Sequence, residues 1–114
     1  MYLGEFASQN DVIREFDLKD DALEYVHVLF AAYAFYSYEG SAFVLYEQDG
    51  KLYEVHGSHC SCYGLEGQWE PEETSWLYLY HAVTKGNLGH LDYDGDKFSN
   101  ELLQLIRRHI GFVE

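Results

Sequence analysis

Apolar positions along this chain recur with two different periods, and the change from one to the other divides it into segments. In "SQNDVIREF", Val12, Ile13 and Phe16 fall three and four residues apart, the spacing of one helix face. Ser8 with Asp11 three positions on predicts where that helix starts. "LKDDALEY" predicts a further helical turn, opening at Asp20 or Asp21. From residue 29 the character changes. "LFAAYAFYSY" (29–38), "AFVLYEQ" (42–48) and "KLYEVHG" (51–57) are rich in aromatic and β-branched residues and predict strands. Glu39-Gly40-Ser41 and Asp49-Gly50 separate them, and Asp-Gly is a strong signal for a two-residue hairpin because both central positions need positive φ.

Counting outward from Asp49-Gly50 sets Gln48 opposite Lys51, Glu47 opposite Leu52, Tyr46 opposite Tyr53 and Val44 opposite Val55. Val44, Tyr46, Tyr53 and Val55 then share a core face, and Phe43, Leu45, Glu54 and His56 share a mixed one. Ala32, Ala34 and Tyr36 are expected on the Val44 face, with Phe35 and Ser37 opposite. The mixed face is apolar enough to need cover, from a helix or from another copy of the chain in a homo-oligomer.

Helical spacing returns in "PEETSWLYLYHAVTKG". Pro71 suits the first position, Glu72 and Glu73 suit the positive end of the dipole, and Lys85-Gly86 closes it. Trp76, Leu79, Tyr80 and Val83 form the packing stripe. A last helix is predicted from about Asp96, with Phe98, Leu102, Leu105, Ile106 and Ile110 inward and Arg107, Arg108 and His109 at its negative end. The expected fold is therefore α+β: a three-stranded antiparallel β-meander with helices packed on one face, one domain over residues 1–114.

Charge changes this picture more than composition does. The formal net charge is −13. Between residues 20 and 84 there are eleven acidic groups and one basic one, Lys51. Such a surface repels nucleic acid and anionic membranes and favours a basic protein partner. The N-terminus lacks the basic and apolar regions of a signal peptide, and no apolar run is long enough to span a bilayer. Two cysteines one residue apart do not suggest a framework disulfide, so a reduced, cytoplasmic setting is expected.

"HGSHCSCYG" concentrates the candidate chemistry. His56, His59, Cys60 and Cys62 offer four nitrogen or sulfur ligands, the number a zinc ion takes, although adjacent His59 and Cys60 tend to point apart. The competing reading is a polar loop whose thiols are partly buried as small apolar groups. A thiol nucleophile with His56 or His59 as base and Glu54 as orienter lacks any oxyanion signature, so no catalytic residue is assigned. "DYDGD" (92–96) fails as a calcium loop, since Lys97 and Leu103 stand where glycine and glutamate are required. The eleven tyrosines and two tryptophans are the other excess. Tyr63, Glu66, Trp69, Glu70, Glu72 and Glu73 combine aromatic and acidic groups suited to docking a basic surface.

The stretch "GSAFVLYEQDGKLYEVHGSHCSCYGLEGQWEPEE" resembles a family of uncharacterised small acidic proteins of bacteriophages and prophages, over roughly residues 40–85. Their shared feature is His-Cys-Ser-Cys-Tyr-Gly followed by Gln-Trp and a Pro-Glu pair. The resemblance implies a phage accessory protein acting in the bacterial cytoplasm, and carries no activity or functional residue with it. Three functions are expected from these observations. The first is a non-enzymatic protein that binds and inhibits a basic host protein, as an anti-defence factor or nucleic-acid mimic. The second is a small zinc-binding domain, and the third a virion component.

Overall fold

The structure, a computed structural model, describes residues 1–36, 39–59, 64–85 and 99–110; the side chains of 34–36, 39 and 59 lie outside that description. The fold is α+β. Its sheet has five strands in the order β1 (Tyr2–Gly4), β2 (His27–Tyr36), β3 (Glu39–Gln48), β4 (Lys51–His59) and β5 (Glu72–Thr74). The helices among the described residues are α1 (Gln9–Glu15), α2 (Trp76–Thr84) and α3 (Ser99–Ile110). β1 runs parallel to β2 and every other pairing is antiparallel, so the expected meander, β2–β4, is the middle of a larger mixed sheet.

The β3–β4 hairpin follows its turn chemistry. Asp49 and Gly50 have φ of 54° and 78°, and Gln48 pairs with Lys51, Tyr46 with Tyr53 and Val44 with Val55. The Tyr46 and Tyr53 rings stack at 5.3 Å. In β2 the faces differ from expectation. Ala31 lies opposite Val44 and Tyr33 opposite Ala42, so Ala31 and Tyr33 join the Val44 face while Ala32 joins Phe43. The strands meet with Tyr36 opposite Glu39 rather than across Glu39-Gly40-Ser41, and an odd shift of register exchanges the two faces. A bulge between Val28 and Phe30 exchanges them once more: Val28 packs in one core and Phe30 in the other. The expected faces of Ala34, Phe35, Tyr36 and Ser37 fall outside the described side chains.

Helices cover both faces of the sheet, not one. On the Val44 face, Val12 of α1, Phe6, Phe16, Leu23 and Leu65 complete a buried cluster. On the Phe43 face, Leu79 and Val83 of α2 and Leu102 and Ile106 of α3 pack on Phe30, Ala32, Leu45 and Leu52. The face read as mixed is thus a second core, and each described helix turns an apolar stripe to the sheet between them.

The helix starts show which local signals prevailed. Asp11 accepts a hydrogen bond from Ala7 N at 2.8 Å, whereas the Ser8 side chain makes no cap bond. "LKDDALEY" forms successive turns, with Ala22 N on Lys19 O and Glu24 N on Asp21 O, instead of a helix. Pro71, Glu72 and Glu73 do not open α2. Glu72–Thr74 pairs with Leu52–Glu54 as β5, and Ser75 caps the helix, its hydroxyl accepting from Tyr78 N at 3.1 Å. Beyond that start the expected stripes hold: Leu79, Val83, Leu102 and Ile106 are buried, with Trp76, Tyr80, Leu105 and Ile110 packed beside them. His109 stacks on Trp76 at 4.1 Å and ties α3 to α2. Asp96, Phe98 and Gly86 lie outside the described residues. Among those described, no helix is long and apolar enough to cross a membrane.

Candidate functional site: an acidic groove at the sheet edge

β4 positions the central pair. Alternation along a strand sets Glu54 and His56 on the same face, and there His56 Nε2 donates to Glu54 Oε1 at 2.6 Å. The two differ in exposure: the His56 side chain is 49% exposed, whereas Glu54 is a buried residue at 8%. Burial by itself would raise the Glu54 pKa. The hydrogen bond from His56, the nearby Thr74 hydroxyl and the charge of His56 outweigh it and hold the carboxyl below its ordinary value. Glu54 Oε2 and Thr74 Oγ1 are both buried. The His56 ring lies on Phe43 at 5.2 Å.

β5 and the start of α2 build the walls. Because Glu72 pairs with Glu54 and Thr74 with Leu52, the edge strand carries the Glu72 carboxylate to the same face as the Glu54–His56 pair, while Glu73, opposite Tyr53, alternates to the other face. Glu54, Glu72, Glu73, Thr74, Ser75 and Tyr78 line an open groove of about 530 Å³. Among the described residues, none of that lining is cationic. Beside it, the first turn of α2 presents two large apolar side chains to solvent, Leu77 at 61% and Tyr78 at 60% exposure.

The residues read from the sequence as a docking patch separate. Glu72 and Glu73 line the groove, while Glu66, Trp69 and Glu70 are not part of its lining. Trp69 packs on the Val44-face core, parallel to Tyr46 at 5.9 Å and edge-on to Phe16 at 5.1 Å. Glu66 turns back to accept from Gly64 N at 3.2 Å. Tyr63, Cys60 and Cys62, the His59 side chain and the "DYDGD" segment lie outside the described residues. Of the four zinc ligands considered, only His56 has a described side chain, and among the described residues no group of three or more His, Cys, Asp or Glu is placed to hold a metal ion.

Sequence reasoning placed Glu54 and His56 together by their spacing of two. It missed Thr74, Leu77 and Tyr78, because reading Glu72 and Glu73 as helical hid the strand that brings them to Glu54. It also missed Gln68. That side chain accepts from Ser58 N at 2.8 Å and donates to Ser58 O and Gly64 O at 2.7 Å each. A side-chain amide thus completes the outer edge of β4 where β5 has ended. Gly57 permits the close packing behind it, since a Cβ there would lie 3.0 Å from Leu65 Cδ2 and 3.2 Å from the Phe16 ring.

Comparison of the chain with protein-family models, with curated proteins and with solved structures gave no match in any of the three.

Proposed function

We propose that this protein is a non-enzymatic binding protein that captures a basic protein partner through the acidic and aromatic surface around β5 and the start of α2. The observation that carries the reading is the exposure of Leu77 and Tyr78 beside Glu72 and Glu73, on a chain of net charge −13. Exposed aromatic and aliphatic anchors next to carboxylates supply contact area and charge steering together. The partner class is a bacterial protein with a basic face, such as one that binds nucleic acid, which this phage-type accessory protein would occupy. The docking surface proposed here keeps Glu72 and Glu73 and replaces Trp69 with Tyr78 as its aromatic anchor.

Affinity capture from bacterial lysate at low salt and at ~0.5 M salt tests it, because exposed charge pairs are screened at the higher concentration. A basic protein should be enriched only at low salt, and a Glu72→Gln, Glu73→Gln, Tyr78→Ala variant should lose it. Equal recovery by wild type and variant would reject the surface.

One observation favours zinc as a second reading. Glu54 fixes His56 through Nε2, and metal-ligating histidines commonly donate their other ring N–H to a carboxylate. The remaining ligands of that reading are His59, Cys60 and Cys62. Metal analysis of untagged protein discriminates: substoichiometric zinc, with no loss of stability on chelation, excludes it.

A further inference from the structure

Four large apolar side chains stand exposed among the described residues: Met1 at 45%, Tyr25 at 81%, Leu77 at 61% and Tyr78 at 60%. The sheet register brings all four to one end of it. His27 pairs with Glu47, Glu47 with Leu52 and Leu52 with Thr74, so these residues form one row across β2–β5, next to the Asp49-Gly50 turn. Tyr25 stands just before that row in sequence, and Leu77 and Tyr78 follow it in the first turn of α2. Met1 joins at the level of Leu29, whose carbonyl accepts from its amine at 3.0 Å. Buried Leu23, with its carbonyl accepting from Val26 N, holds the segment that displays Tyr25.

Charge divides this end into two halves. Asp20, Asp21 and Glu24 accompany Tyr25, with Lys19 as the nearby base in that segment, and all are exposed. On the other half, the Trp76–His109 stack at 4.1 Å brings the last turn of α3, with Arg107 and Arg108, beside the first turn of α2. Glu73 and Glu72 lie behind the row on β5.

We propose that this end of the sheet is where a second copy of the chain binds, related by a two-fold axis. Such an axis sets each half against the opposite half of the other copy. The acidic Tyr25 segment of one copy then meets the arginine-bearing Leu77 segment of the other, twice. Exposed apolar side chains gathered in one place mark an association surface, and tyrosine supplies contact area at low entropic cost. The net charge of −13 opposes contact between copies elsewhere, whereas here each copy offers both signs to the other. A wholly basic surface laid across this end would meet Arg107 and Arg108, to which a second copy presents carboxylates. The inference goes beyond the partner-binding reading. The two share Leu77 and Tyr78, so a captured partner and a second copy exclude each other.

Sedimentation velocity between ~10 µM and ~1 mM protein at ~0.15 M salt tests it, a range that covers weak association. Wild type should pass from monomer to dimer with no larger species, since a two-fold contact closes on itself. Tyr25→Asp and Leu77→Glu should each weaken association by about tenfold or more, because each places an unpaired charge in the contact. A double variant, Asp21→Lys with Glu24→Lys, should be monomeric alone, as should Arg108→Glu. Mixed together they should dimerise, because the mixture restores opposite charges across both halves. These changes fall on exposed side chains, and unchanged circular dichroism confirms the fold. Monomer at every concentration, open-ended assembly, or a dimer indifferent to Tyr25→Asp and Leu77→Glu would overturn the proposal. Wild type that stays monomeric yet captures a basic protein at low salt would remove the self-contact and leave the partner reading standing. A dimer that captures no basic protein would do the reverse.

Discussion

Replacing Trp69 by alanine separates packing from docking. The indole lies over the Tyr46 ring at 5.9 Å with its plane tilted by only 9°, and meets Phe16 edge-on. Phe16 is fully buried beneath it, and Leu65 fills the same corner. Truncating a fully buried tryptophan costs about 3–5 kcal/mol. Trp69 is only partly buried, which reduces that figure, while each aromatic pair adds roughly 0.5–1.5 kcal/mol beyond area. Trp69→Ala should therefore cost about 2–3 kcal/mol. For a domain of this size that is a large share of the roughly 5–15 kcal/mol available. Urea denaturation followed by far-ultraviolet circular dichroism measures it directly, with the midpoint falling by ~1–2 M at an unchanged slope. Trp69→Phe should recover about half of the loss. A midpoint within the ~0.5 kcal/mol typical of surface substitutions, together with lost partner capture, would refute the reasoning and return Trp69 to the docking surface.

Three further outcomes follow from the sheet edge. The Glu54 pKa is lowered on folding, so its contribution to stability is present above the unfolded carboxyl value near 4.5 and is lost as pH falls through the folded value. Thermal melts between pH 3 and 7 should show a smaller acid-side decline for Glu54→Gln than for wild type; parallel curves would contradict the assignment. Gln68→Ala removes three hydrogen bonds and should cost about 1–3 kcal/mol, with faster hydrogen exchange at the Ser58 amide as its local signature. Gly57→Ala crowds Leu65 and Phe16 and should destabilise by about 1–3 kcal/mol, measured by the same urea midpoint.

What could be read before the structure was set by how local each signal is. Asp49-Gly50 constrains two backbone angles by itself, so the β3–β4 register and the Glu54–His56 juxtaposition were legible. The stripes of α2 and α3 were legible for the same reason, since Leu79, Val83, Leu102 and Ile106 need only helical spacing to converge. The β2 register has no such local determinant: its turn permits several lengths, and the bulge at Leu29 leaves no mark in composition. "YLG" and "EET" are too short to show any period. Pro71-Glu72-Glu73 carries every mark of a helix start, yet Glu72–Thr74 becomes an edge strand because pairing with Leu52–Glu54 and the Ser75 cap prevail. The packing of Trp69 was hidden because acidic neighbours surround it in sequence, whereas its ring contacts, Tyr46 and Phe16, are distant along the chain.

The two-sided sheet also fixes an order of completion during synthesis. Every described residue of the Val44-face core lies at or before Trp69, so that layer can close once about residue 69 has left the ribosome. The opposite layer draws on Leu79 and Val83, then on Leu102 and Ile106, and stays open until α3 emerges. Phe30, Phe43 and Leu45 are bare until α2 emerges and lack the α3 side chains until the last helix follows. A nascent chain halted between residues 69 and 76 should present them to chaperones as a single apolar face behind a completed Val44-face core.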